Sequence, residues 1–196
     1  MNSRDYIKKF VNSYSLLLIF SYILSINLVY PKFSILSIGI QLYFINLYVY
    51  LIHIVSHKMP NILLNYHMFS HHNKKLELPR WLELIGEFFC DMSWFFLLAG
   101  IKYMIGMPYL SYTLIFFIGI WYSSVHVVNL SLITSAEHKI HHEEQKYNFG
   151  PPYYDMAFGT LKSDNTETTL YEINNGIIIF LLFNMLSSLR YFNLQV

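Results

Sequence analysis

All nine histidines of this chain fall in or beside three short clusters that separate long apolar segments. A histidine near the depth of a bilayer is costly unless it has a partner. On a helix, side chains three or four residues apart share a face, so two imidazoles can reach one ion. The clusters read H-x3-H, H-x3-H-H and H-x2-H-H, and they comprise His53 and His57; His67, His71 and His72; and His138, His141 and His142, with His126 as the ninth histidine. This pattern predicts a shell of metal ligands.

The type and number of these side chains indicate how many ions they bind. Neutral imidazole suits iron, zinc or copper. Eight or nine such ligands exceed the four of a usual zinc site, so their number predicts two ions. Helical bundles build dinuclear sites in this way, from ligands on four facing helices.

The spacing also predicts how the imidazoles pair. Three pairs lie four residues apart, and each is predicted to present two imidazoles to one ion. They are His53 with His57, His67 with His71, and His138 with His142. His141 shares the face of the last pair, whereas His72 points about 100° away from His71 and is predicted to reach a second ion. A lone histidine in an apolar helix is usually a hydrogen-bonded core residue, and that alternative stays open for His126.

The composition predicts a membrane protein. Its 196 residues suffice for one domain, and 55% are hydrophobic while only 13% are charged, which is too apolar for an ordinary soluble domain. A net charge of +1 argues against nucleic acid as a partner. The single cysteine, Cys90, excludes an intramolecular disulfide and any cysteine-rich zinc or iron–sulfur site.

Four apolar runs are predicted to form the spanning helices of an all-α membrane bundle, a single domain over residues 1–196. They cover about 14–30, 34–55, 92–105 and 109–131, and the third is short enough that it is predicted to extend back towards Trp81. Pro31 and the 106–108 segment are predicted turns. The first run is read as a retained helix rather than a signal peptide, because it lacks a small-residue cleavage site. A last run, 176–189, is predicted to be an interfacial or buried helix.

Two independent arguments predict that the histidine clusters face the cytoplasm. All clusters must lie on one side of the membrane to share a metal site. Two predicted helices precede His53, so the N-terminus lies on that side too. Basic residues concentrate on the cytoplasmic side of membrane proteins. Lys32 and Lys102 lie on the other side, and Arg190 near the C-terminus is unassigned. Ten lie on the histidine side, namely Arg4, Lys8, Lys9, Lys58, Lys74, Lys75, Arg80, Lys139, Lys146 and Lys162.

Residues 137–160 carry a resemblance to a known family. The last histidine cluster is followed by Asn148-Phe149-Gly150 and then by the segment from Asp155 to Thr160, D-M-A-F-G-T. This order resembles the fatty acid hydroxylase and sterol desaturase superfamily of membrane di-iron oxidases, which often has a tryptophan where this chain has Tyr154. Together with the earlier clusters, the resemblance covers about residues 50–160.

The resemblance implies a function and a set of residues for it. The chain is expected to hold two irons, with zinc as an alternative occupant, and to use O2 to hydroxylate or desaturate a sterol, sphingolipid or fatty acyl chain. All nine histidines are expected to be ligands, and seven to be essential for activity: His53, His57, His71, His72, His138, His141 and His142. Asn148 and Asp155 are expected to support them, with a tight turn over 148–152. Asp155 is expected either to accept a ligand N–H or to cap or salt-bridge a local helix. Oxidation needs two external electrons, so a separate donor is expected, such as a b-type cytochrome and its reductase. In a eukaryotic host the endoplasmic reticulum membrane is the expected location.

Two departures from the family keep rival functions open. The second cluster is one residue longer than the usual H-x2-H-H, and His126 has Leu130 four residues on, where related hydroxylases have a second histidine. Asn129, a carboxylate or water would have to fill that position. The rivals are a non-catalytic member that binds lipid or protein partners, and a zinc-dependent lipid hydrolase of the membrane, which would leave about five histidines unexplained.

Overall fold

The described part of the chain is entirely helical. The computed structural model describes residues 15–58, 67–72, 78–131, 136–162 and 169–193, without the side chains of 69–71, 129–131, 136, 169–171 and 187–193. Within these ranges there are seven α-helices, one π-helical turn and no strand. They are α1 (Ser15–Val29), α2 (Ile35–Lys58), the π-turn (His67–His72), α3 (Arg80–Ile105), α4 (Tyr112–Ser131), α5 (Ala136–Glu143), α6 (Pro152–Phe158) and α7 (Thr169–Asn193).

Each of the helices α2, α3 and α4 has one apolar end and one polar end. Helices α2 and α4 bury Ile38, Ile45 and Leu114 in their first halves and carry their histidines near their C-terminal ends. Helix α3 runs the opposite way, with Glu87 buried near its start and the apolar core, including Leu98, in its second half. The polar ends therefore gather at one end of the bundle, and the apolar core fills the other.

Two glycines let helices approach closely in this core. A Cβ atom on Gly119 of α4 would lie 2.7 Å from Cγ of Phe95 in α3, and one on Gly176 of α7 would lie 2.4 Å from Cζ2 of Trp121 in α4. Such distances are far inside van der Waals contact, so only glycine permits this packing. Helix α4 is thereby held between α3 and α7.

The lengths and surfaces of the helices indicate a membrane protein. Two of them, Ile35–Lys58 and Arg80–Ile105, are long and apolar enough to cross a membrane, and Ser15–Val29, Tyr112–Val128 and Glu172–Leu186 are shorter apolar helices. Large apolar side chains also cover the outside of the bundle, as at Leu36 and Leu181. A soluble domain rarely exposes apolar patches of this size, whereas a lipid bilayer would cover them.

The helix limits agree with most of the sequence predictions. The short third run does extend back, to Arg80, and Gly106 ends α3 in the left-handed conformation (φ 65°), as expected for a turn. The last run is longer than predicted, because α7 starts at Thr169, before its apolar part. The prediction of four spans stays a prediction, since only two helices have full membrane length.

Candidate metal centre

Five histidines from α2, the π-turn and α5 converge at the polar end of the bundle. We call His53, His57, His67, His72 and His141 the five-histidine set; each offers a ring nitrogen, and these nitrogens all lie within 4.8 Å of one another. The Nε2 atom of His67 is 3.2 Å from Nε2 of both His53 and His72. Two nitrogens bound to one ion at about 2.1 Å lie roughly 3.0–3.4 Å apart in tetrahedral or octahedral geometry. The spacing therefore fits ligands around a shared ion.

Main-chain carbonyl groups orient two of these rings. Nδ1 of His53 donates to the carbonyl oxygen of Phe149 (2.6 Å), and Nδ1 of His141 donates to that of Tyr147 (2.7 Å). A neutral imidazole carries one N–H, so in both rings Nε2 is left as the lone-pair nitrogen. That tautomer is the one that binds a metal through Nε2.

Buried nitrogen atoms within this set have no hydrogen-bond partner in the described part of the chain. They are Nε2 of His141 and both ring nitrogens of His57. Buried polar atoms are almost always satisfied, so orphans of this kind require an explanation such as an ion. A metal bound to these nitrogens satisfies them, and the donor set therefore fits the metal that the sequence implies.

Burial keeps the imidazoles of His67, His72, His138 and His141 neutral. Burial, with the neighbouring histidines as a smaller cause, holds the pKa values of His67 and His138 well below the ordinary value and lowers the pKa of His72. Burial likewise lowers the pKa of His141 to about 3, against the opposing hydrogen bond to Tyr147. Neutral imidazole is the form that binds metals, so the site is ready for cations at neutral pH.

The π-turn changes the predicted pairing in the second cluster. The sequence predicts that His67 and His71 share a face and that His72 points elsewhere, as in an α-helix. In a π-helix residue i pairs with residue i+5, and His67 and His72 accordingly meet through their Nε2 atoms. The prediction that His72 points away from the face of His67 is therefore wrong, whereas the pairing of His67 with His71 stays a prediction. The wider turn accommodates the extra residue of H-x3-H-H. His71 lies in the same turn, but its side chain is outside the described residues.

A second group of histidines lies beside the first. We call His126, His138 and His142 the three-histidine set. Nε2 of His138 is 3.0 Å from Nε2 of His142, which confirms that this pair shares a face. The ring centre of His138 is 5.0 Å from that of His126, and His142 stacks on His72 of the first set at 4.5 Å. His126 thus lies among the other histidines, next to the pair formed by His138 and His142.

Two acidic side chains of α3 that the sequence analysis did not predict as site residues also reach the histidines. Oδ2 of Asp91 lies 2.7 Å from Nδ1 of His126, and Oε2 of Glu87 lies 3.6 Å from Nδ1 of His67. Both carboxylates are buried, at 4% and 1% exposure. A signal was present in the sequence: two acids four residues apart in an otherwise apolar helix are costly in a membrane unless they have partners.

The segment after α5 is the predicted tight turn, but Asp155 acts differently than expected. Asn148 and Gly150 adopt left-handed φ angles of 56° and 59°, and the carbonyl group of Phe149 between them points at His53. Asp155 accepts hydrogen bonds from N–H of Phe149 (2.9 Å), N–H of Gly150 (2.6 Å) and the Thr160 hydroxyl (2.6 Å). The prediction that Asp155 itself accepts from a ligand imidazole is wrong, because main-chain carbonyls take that place and Asp155 holds the turn that supplies them.

Asn148 joins the two ends of the same segment. Its amide group donates to the carbonyl oxygens of Glu137 (3.0 Å) and Lys162 (2.9 Å), and its side-chain oxygen accepts from N–H of Lys162 (2.7 Å). Glu137 lies in the first turn of α5, so Asn148 fixes the helix that carries His138, His141 and His142. The expected supporting role of Asn148 therefore acts through the backbone.

A cavity of about 180 Å³ opens beside both sets. Part of its wall consists of His53, His126, His138 and His141. Leu17 and Leu18 from α1 and Ile118, Trp121 and Val125 from α4 make another part of its wall apolar, and Glu137, Asp155 and Glu172 also line it. An apolar space that ends at a group of metal ligands suits a hydrocarbon chain.

Comparison with known proteins gives one match. The sequence model of the family described as "Fatty acid hydroxylase" matches residues 38–160, more than half of the chain. The matched range starts in α2 and ends just after α6, so it contains every histidine of both sets. No curated protein and no solved structure matches the chain.

Proposed function

Because the chain belongs to the fatty acid hydroxylase family, we propose that it is a membrane-bound di-iron oxidoreductase that hydroxylates or desaturates a lipid. The observation that carries this proposal is the convergence of buried, neutral imidazole nitrogens next to an apolar cavity. Two irons held by the two histidine sets would supply the activation of O2 and the oxidation of an unactivated C–H bond.

The chain's own part in this reaction is binding, orientation and exclusion of water. His53, His57, His67, His72 and His141 would hold one iron, and His126, His138 and His142 would contribute to the second. Leu17, Ile118 and Val125 would hold the hydrocarbon part of the lipid against the metal ligands and keep water away from it. Holding reactants in a fixed relative position supplies much of the rate enhancement of many enzymes.

We infer that electrons reach the site from a separate protein on the histidine-bearing face. A surface depression lined by Lys58, Lys146 and His57 leads to the five-histidine set. Exposed lysines favour the approach of an acidic carrier such as a b-type cytochrome. Of the cations suggested by the sequence, Arg80 is paired with Glu83 at 2.7 Å, and Lys74 and Lys75 lie outside the described residues.

Analysis of cellular lipids tests the proposed function. Cells that express the chain are grown under 18O2, and their lipids are compared with those of cells that express the His141→Ala variant. We expect lipid species that carry 18O, or that have lost two hydrogens, with the wild-type chain only. Lys139→Ala, an exposed side chain in the same helix, is the matched control and should behave as the wild type. Identical lipid profiles for the wild type and His141→Ala would contradict the proposal.

We further propose that the chain crosses the membrane about four times, with both histidine sets on the cytoplasmic side, as in the endoplasmic reticulum of a eukaryotic host. The ten-to-two distribution of basic residues supports this orientation. The common end of the bundle at which α2 and α4 terminate and α3 begins supports the placement of both sets on one side of the membrane.

Glycosylation mapping tests this orientation. An Asn-Xaa-Thr acceptor on an extended loop inserted between residues 72 and 80 should stay unmodified in an endoplasmic reticulum insertion assay. The same loop inserted at residues 106–108, in the opposite turn, should be modified, because only the lumenal side carries the transferase. The reverse pattern of modification would rule out the proposed topology and the cytoplasmic electron donor with it.

A further inference from the structure

Glu87 and Asp91 lie one helical turn apart on α3, at the end of the bundle that holds the histidines. Their side chains are 1% and 4% exposed. Removing a carboxylate from water is strongly unfavourable unless it is paired and hydrogen-bonded. A role for these two side chains must therefore be sought among the groups that they contact.

Each carboxylate contacts one histidine from a different set. Asp91 contacts His126 of the three-histidine set, with Oδ2 and Nδ1 separated by 2.7 Å. Glu87 contacts His67 of the five-histidine set, with Oε2 and Nδ1 separated by 3.6 Å. In His67 the other ring nitrogen, Nε2, faces His53 and His72. Two carboxylates on one turn of α3 thus face both sets, each on the Nδ1 side of one imidazole ring.

We propose that Asp91 is a positioning residue, which accepts the Nδ1–H of His126 and so directs Nε2 of that ring to a metal ion, and that the Glu87 carboxylate, 3.6 Å from Nδ1 of His67, orients that ring by its charge. The inference rests on the proposed di-metal function. A histidine that binds a metal through one nitrogen usually donates the other N–H to a carboxylate, a carbonyl group or water. His53 and His141 already use main-chain carbonyls for this purpose, and Asp91 does the same for His126.

The alternative is that the acids bind a metal directly. The ligand atoms of His67, Glu87, Asp91 and His126 lie within 4.8 Å of one another, so this group could hold an ion. However, the Asp91–His126 distance of 2.7 Å is typical of a hydrogen bond to a charged group. It is shorter than the roughly 3.0 Å that separates adjacent ligand atoms on one ion. His67 would also have to bind metals through both nitrogens, which requires the loss of its last N–H.

The proposal explains how His126 is oriented in this chain. Its helix has Leu130, not a second histidine, four residues on. A single imidazole on a helix can rotate about its side-chain bonds, and a buried acceptor removes that freedom. Asp91 provides this acceptor from the neighbouring helix, so the orientation does not depend on a partner in α4.

The test is metal binding by the purified full-length chain. Apo protein is titrated with Fe(II) without oxygen, and the bound metal is counted and examined by Mössbauer spectroscopy. We expect Asp91→Ala to bind iron at one position 10–100-fold more weakly than the wild type while it keeps the other. Asp91→Asn, whose amide oxygen can still accept Nδ1–H, should keep both irons, with a changed spectrum for one. Glu87→Ala and Glu87→Gln should both change the spectrum of the iron at the other position, because both remove the charge beside His67.

Glu83→Gln serves as the matched control, because Glu83 lies one turn before Glu87 and pairs with Arg80 instead. It should bind both irons with the wild-type spectrum. Wild-type affinity and spectrum in Asp91→Ala would overturn the inference, and so would equal loss of iron in Asp91→Asn and Asp91→Ala, which would indicate a direct ligand. If Asp91→Ala does not fold, an unchanged spectrum in Asp91→Asn is decisive against the inference. A wild-type chain that binds no iron would instead refute the proposed function itself.

Discussion

Replacement of His141 by alanine is expected to abolish lipid oxidation while the protein still inserts in the membrane. The His141 ring is 1% exposed, its Nδ1 is held by the carbonyl group of Tyr147, and its Nε2 belongs to the five-histidine set. The substitution removes one of the five converging ligands. The same result is expected for alanine at His53, His57, His71, His72, His138 or His142.

The activities of double variants provide a second measurement. Residues that act as a unit show strongly non-additive effects, so two histidine substitutions should be no worse than one. Activity is measured as oxidised lipid per inserted protein, with Lys139→Ala as the exposed control from the same helix. If His141→Ala keeps more than about a tenth of the wild-type activity, its role as a ligand is refuted. A tenfold loss of rate corresponds to an increase of about 1.4 kcal/mol in the activation free energy.

Replacement of Asp155 by alanine is expected to have the second largest effect. Three hydrogen bonds from Phe149, Gly150 and Thr160 end on this one carboxylate, and they hold the carbonyl group that orients His53. Burial raises the pKa of Asp155 to about 6, against the opposing effect of those donors. Without the carboxylate two main-chain N–H groups lose their acceptor, and the turn loses its shape. We expect metal affinity to fall 10–100-fold, the range typical for groups that orient ligands.

Two further variants separate this effect from a general loss of charge. Asp155→Asn keeps one oxygen but turns an amide N–H2 towards a main-chain donor, so its metal affinity should lie between those of the wild type and Asp155→Ala. Glu143→Gln removes an exposed carboxylate at the end of α5 and should bind metal normally. Metal affinity in Asp155→Ala equal to that of the wild type would show that the turn does not support the site.

The helical part of the fold could be predicted because hydrophobic runs and turn residues act locally. The helix at Ser15–Val29 and the turn at Gly106 follow from apolar length and from glycine's access to left-handed φ. The full extent of α3 and α7 was less clear in the sequence, because both continue from apolar residues into polar ones at the end of the bundle. Hydropathy alone does not indicate where such a helix starts.

The site could be predicted in its composition but not in its arrangement. The number of histidines and their approximate faces were evident, whereas the pairing of His67 with His72 depends on a π-turn that α-helical spacing does not describe. Similarly, the carbonyl acceptors at Tyr147 and Phe149 belong to the main chain, which has the same groups in every sequence. The approach of Asp91 to His126 depends on how α3 packs against α4, and this is a tertiary contact 35 residues apart in the chain.

The most direct measurement of the central claim is the metal content of the purified wild-type chain from iron-supplemented cells. The two histidine sets predict two irons per chain, removable by a chelator and restored by Fe(II). One zinc ion per chain would contradict the di-iron account and favour a hydrolase, and a chain with no bound metal would contradict it in favour of a non-catalytic lipid-binding or partner-binding protein.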